Sequence, residues 1–117
     1  MIDRELLELA AKAVKVRGTW VEKHPEDGHQ SYACGIGRDG AAPLWNPLVN
    51  DGDCFRLAVS MNLRITIYED GFTCVTASEM IKRRVETVMV KHVDDGLAAT
   101  RRAIVVAVAE TVKARKL

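Results

Sequence analysis

The chain has 117 residues, a length that gives one domain with room for a single modest core. Its residues are 48% hydrophobic and 28% charged, which excludes the polar composition of a disordered chain, and 5% are aromatic, so the core must be largely aliphatic. With 17 Lys and Arg against 16 Asp and Glu, the formal charge of +1 gives no global attraction to phosphate or to an anionic membrane. A nucleic-acid role would need a local basic patch.

Residues 2–15 read as an amphipathic helix with Ile2, Leu6, Leu9, Ala10 and Ala13 on one stripe. Asp3 and Glu5 favour its positive end, and Gly18 closes it. The same charges, interleaved with the apolar residues, do not read as a secretory signal. Two short β-like runs follow, "RGTWVEK" and "QSYACGIG", joined by the turn-rich "HPEDGH" into an expected hairpin.

In "LWNPLVNDGDCFRLAVSM", residues 44–61, Pro47 opposes helix, after which Cys54, Leu57, Ala58 and Met61 recur at helical spacing. Asp51 or Asp53 is the expected N-cap, because a carboxylate there accepts unpaired backbone N–H groups and meets the positive end of the helix dipole. Trp45, placed ahead of the cap, is expected to fold over that end of the core, with contact to a partner as its alternative role.

"LRITIYE" and "FTCVTA" flank Asp70-Gly71, the dipeptide of a two-residue type I′ turn. That register sets Ile67 opposite Cys74, Ile65 opposite Thr76, Tyr68 opposite Thr73 and Thr66 opposite Val75, and it turns Ile65, Ile67 and Cys74 to the core. The connector "EMIKRR" leads into "VETVMVKHV", whose β-branched residues predict a further strand of undecided facing. Asp94-Asp95-Gly96 opens a last helix with Leu97, Ile104, Val105, Val108 and Val112 on a broad stripe, and Lys113, Arg115 and Lys116 suit its negative end. That stripe allows either full burial or a homodimer contact.

The order αββαβββα with hairpin-length connections predicts one α+β domain over residues 1–117, an antiparallel sheet packed against helices mostly on one face. The longest apolar stretch near the end, residues 103–109, is much shorter than the roughly 20 residues a membrane span needs. Three cysteines, Cys34, Cys54 and Cys74, cannot all pair internally, and a reducing cytosol is the expected compartment.

The acidic turn fails as a calcium loop: Asp51 and Asp53 could fill its first and third positions, but Phe55 stands at the fifth and no Glu closes it. His24, His29 and Cys34 lack the paired spacing of a zinc site, and nothing near Cys34 would lower its pKa for nucleophilic work. "CGIGRDG" lacks the Gly-Lys-Ser/Thr ending of a phosphate loop. No catalytic, cofactor-binding or metal-binding residue is assigned, and no cofactor is expected. Lys82, Arg83 and Arg84 form a three-residue basic run, with Lys91, Arg101 and Arg102 as candidate neighbours.

"LWNPLVNDGDCFRLAV" together with "AATRRAIVVAVAETV" resembles a family of small uncharacterised proteins encoded by bacteriophages and integrated prophages. Trp45, Asn46, Pro47, Leu48, Asp51, Gly52, Asp53, Arg56, Leu57 and Ala58 carry the likeness, with Ala99 to Ile104 near the end. The leading "ELLELAAKAV" also fits, whereas residues 19–42 and 72–92 fit loosely. The resemblance implies a phage or prophage accessory protein in bacterial cytoplasm, and it transfers no catalytic residue.

Three functional readings follow: a non-enzymatic protein that binds a host or phage protein, a nucleic-acid-binding module acting through Lys82, Arg83 and Arg84, and a small hydrolase. The first is preferred, because no nucleophile, base and metal set is assembled in the sequence and the net charge is close to zero. Trp45, Lys82, Arg83 and Arg84 are the candidate partner contacts.

Overall fold

A computed structural model describes residues 1–38, 43–79 and 84–115, without the side chains of 78, 79 and 84–86. In chain order the elements are α1 (Asp3–Ala13), β1 (Thr19–Lys23), a single 3-10 turn (Pro25–Asp27), β2 (Ala33–Gly37), α2 (Asp51–Ser60), β3 (Arg64–Tyr68), β4 (Phe72–Glu79), β5 (Arg84–Lys91) and α3 (Gly96–Arg115). The fold is α+β, as the order of elements predicts. The strands form two antiparallel sheets rather than one: β1 pairs with β2, and β3, β4 and β5 form a meander.

The last helix organises the core. α3 packs against α1, α2, β4 and β5, so it must present apolar residues in several directions. Ala103, Ala107 and Ala109 are fully buried beside Val105 and Val108, and their small side chains let neighbouring backbones approach. The breadth of its apolar stripe is therefore used inside one chain. Leu97, placed on that stripe by the sequence, is instead exposed.

On α1 the buried residues are Leu6, Leu7, Ala10 and Ala11, a stripe rotated from the expected one. Ile2 is exposed, while Leu9 and Ala13 flank the core. The rotation follows from α1 packing on both α3 and β2, which draws Leu7 and Ala11 inward.

The β3–β4 hairpin is shifted by one residue from the expected register. Tyr68 lies opposite Phe72, Ile67 opposite Thr73, Thr66 opposite Cys74 and Ile65 opposite Val75. The Gly71 N–H donates to the Tyr68 carbonyl at 3.1 Å, and Gly71 sits at φ +87°. The connection is thus a three-residue loop, Glu69-Asp70-Gly71, with a left-handed glycine closing a tight turn, not a two-residue type I′ turn. A one-residue slip exchanges the faces of a strand. Thr73, Val75 and Ala77 are the buried residues of β4, and Cys74 is half-buried on the opposite face. Ile65 and Ile67 share the face of Val75 and Thr73, yet they are 37% and 63% exposed, because β3 is an edge strand beyond the reach of α3. On β5, Val88 and Val90 pack against the core while Thr87, Met89 and Lys91 point away.

Candidate functional site

The acidic turn becomes a knot of internal bonds. Trp45 and Ile36 exchange both backbone bonds at 2.9 Å, which pins the turn to the end of β2. Gly35 makes that approach possible, since a Cβ there would stand 2.6 Å from the Trp45 carbonyl oxygen. Trp45 is 4% exposed and belongs to the core cluster, and Pro47 is also buried.

Asn46, likewise buried, uses both ends of its amide: Nδ2 donates to the Cys34 carbonyl at 2.9 Å, and Oδ1 accepts from the Leu48 N–H at 2.9 Å. Its backbone N–H donates to Asp53 Oδ2 at 3.0 Å. Asp53, 6% exposed, accepts from Arg56 Nη2 at 2.9 Å through its other oxygen. The cap is neither of the expected aspartates. Asn50 holds that place, with Oδ1 accepting from the Asp53 N–H at 2.8 Å, as an amide can do as well as a carboxylate. Asp51 and Asp53 instead supply negative charge to the first helical turn.

Arg101 closes the knot from α3. Its Nε donates to the Leu48 carbonyl at 2.9 Å, and Nη1 donates to Asp51 Oδ1 at 2.7 Å. The two stretches that carry the sequence resemblance therefore meet in space. Cys54 lies beneath them, and burial pushes its thiol up to about 11, so it stays protonated and unreactive near neutral pH. The neighbouring Arg102 pairs with Asp3 at 2.9 Å. Both arginines are thus engaged with acids of other elements, Asp51 and Asp3. Lys82 and Arg83 lie outside the described residues, and Arg84 opens β5 with its side chain undescribed.

A second polar junction, unforeseen in the sequence, ties the far end of the sheet to α3. Thr73 Oγ1, wholly buried, lies 2.6 Å from His92 Nε2 and 2.8 Å from Thr100 Oγ1. In the β1–β2 connection, His24 pairs with Glu22 and Glu26, and its ring lies 5.1 Å from that of Tyr32. Among the described residues, no three His, Cys, Asp or Glu side chains converge as a metal site.

What the knot lacks, the three-stranded sheet provides. α3 covers one face of β4 and β5, and among the described residues no helix packs on the other, where Thr87, Met89 and Lys91 are exposed. Its side chains form cross-strand rows: Tyr68, Phe72 and Lys91; Thr66, Cys74 and Met89; Arg64, Thr76 and Thr87. Tyr68 is 46% exposed and Met89 59%, with Phe72 half-buried between Tyr68 and Lys91. Arg64 and Lys91 stand at diagonal corners, and the described side chains of these rows include no acid. The sequence conceals this face because the expected register divides its residues between core and solvent; counting Glu69 into the loop would have assembled them.

Comparison of the chain with protein-family profiles, curated proteins and solved structures finds no match. Among the described residues, no helix is long and apolar enough to cross a membrane.

Proposed function

We propose that this protein is a non-enzymatic accessory protein of phage or prophage origin, acting in bacterial cytoplasm by docking on another protein through the open face of the β3–β4–β5 sheet. The observation that carries this reading is the row of Tyr68 and Phe72 beside exposed Met89, with Arg64 and Lys91 at the corners. Tyr, Phe, Met and Arg are the residue types enriched in protein interfaces, and Tyr and Arg are common energetic anchors. The partner that fits this face presents an apolar anchor to Tyr68, Phe72 and Met89, and carboxylates to the two cationic corners. Origin and compartment rest on the resemblance of the Trp45–Ala58 and Ala99–Ile104 stretches.

The glutamate and aspartate of the hairpin loop, Glu69 and Asp70, adjoin the aromatic row and oppose a phosphate backbone there. That favours a protein over a nucleic acid. Capture from bacterial lysate at physiological salt, run in parallel with the intact chain and with a Tyr68→Ser/Met89→Ser variant, tests the reading. The expected outcome is a partner retained by the intact chain and lost by the variant. An unchanged set of captured proteins overturns it, as does binding of single-stranded oligonucleotides with a steep salt dependence.

A further inference from the structure

We infer that the free edge of β3 pairs with β3 of a second copy, antiparallel about a two-fold axis at Thr66, joining the two three-stranded sheets into one. This goes beyond docking on the open face and stands on separate observations. Among the described residues β3 has one strand neighbour, β4, and all five of its residues are exposed. Ile65 and Ile67 continue the face of buried Val75 and Thr73 outward, past the cover of α3. Exposed edges are ordinarily blunted by charged side chains, Pro or a bulge, and "RITIY" has no Pro and a single charge, Arg64 at its first position, which leaves the central Ile65-Thr66-Ile67 unguarded.

Backbone direction fixes which groups are free. The Tyr68 carbonyl accepts from the Gly71 N–H, so Tyr68 turns its backbone toward β4. Alternation along an antiparallel strand turns Thr66 and Arg64 the same way and leaves the N–H and C=O of Ile65 and Ile67 on the free edge. A two-fold axis at Thr66 places Ile65 of each copy opposite Ile67 of the other, where each pair exchanges both backbone bonds. This register uses all five residues of both strands, and shifting it shortens the match.

Its side chains suit each other as well. On the helix-facing side four isoleucines meet and cover each other's exposed surface. On the open face Thr66 meets Thr66, a favourable cross-strand pair, and Arg64 lies beside Tyr68 of the other copy without a like-charge contact. The last helix, the sequence's candidate for a dimer contact, has Ile104, Val105, Val108 and Val112 of its stripe buried within one chain, and Leu97 near its start exposed.

Light scattering of the full chain over a dilution series tests the inference. The intact chain should reach twice its monomer mass at the concentrated end and fall toward the monomer on dilution. Thr66→Lys sets two cations face to face on the axis at a site exposed in the single chain, and it should hold the monomer mass throughout. Ile67→Pro deletes a free-edge donor without removing a β3–β4 bond, and should do the same. Circular dichroism checks that both variants are folded. Thr66→Cys on a Cys74→Ser background should give a covalent dimer on oxidation, because paired residues across the axis lie within disulfide reach. A monomer mass for the intact chain at every concentration overturns the inference, and so does a dimer mass for folded Thr66→Lys or a failure to cross-link.

Discussion

The acidic turn and the open sheet face use their polar and aromatic residues in opposite ways. At the turn, Asn46, Asn50, Asp53 and Arg101 hold bonds within the chain, and Asn46 and Asp53 are buried. On the sheet, the side chains of Arg64, Lys91, Tyr68 and Met89 stand exposed. A motif rich in Asp, Asn and Trp looks functional in a sequence because those residues also build metal and binding sites. Here their bonds serve the architecture, and the plainer strands leave Tyr68 and Met89 exposed.

The comparison breaks most readily at Trp45. Its truncation to Ala removes a core ring at the junction of β2 and α2, and a loss of about 3–5 kcal/mol in urea denaturation is expected. A variant that unfolds like the intact chain would place Trp45 among contact residues after all. Asp53→Ala leaves the buried Asn46 N–H without its acceptor, a cost of about 1–3 kcal/mol by the same measurement.

The cap sharpens the comparison further. Asn50→Ala should cost about 1 kcal/mol. Asp51→Asn should cost less, because the Asp51 side chain is 74% exposed and its pairing with Arg101 is screened by water. Reversal of that order would restore Asp51 as the cap.

Cys54 gives the smallest effect and a pH signature. Burial lifts its thiol from 9.0 to about 11 in the folded chain, so the unfolded chain loses this proton first. Its contribution to stability is complete below pH 9.0 and is lost as pH rises toward about 11. Urea midpoints of the intact chain should therefore fall more steeply over that range than those of Cys54→Ala; parallel slopes would show that the thiol is not shielded.

The fold was legible wherever hydrophobic period and turn residues agreed. Helix 96–115, the pairing of β1 with β2 and the α+β class all follow from such agreement. The hairpin register was not, because Asp70-Gly71 serves two loop lengths, and the choice depends on whether Glu69 belongs to strand or loop. That single residue decides which residues of β4 share a face with Ile65 and Ile67, and whether Tyr68, Phe72 and Met89 share the other. Asn50 is hidden as the cap by Asp51 and Asp53, whose carboxylates compete for the same place in the sequence. The Arg101 bonds to Leu48 and Asp51, between residues some 50 positions apart, leave no local trace. Nor does the meeting of Thr73, His92 and Thr100.

The most direct test measures the captured partner's affinity for two folded variants side by side, Asp51→Asn in the knot and Tyr68→Ser/Met89→Ser on the sheet. The sheet variant should bind at least about tenfold more weakly, the effect of losing roughly 1.4 kcal/mol of interface contact, while Asp51→Asn binds as the intact chain does. Weakened binding by Asp51→Asn with full binding by the sheet variant would contradict the account and return the acidic turn to the centre of function.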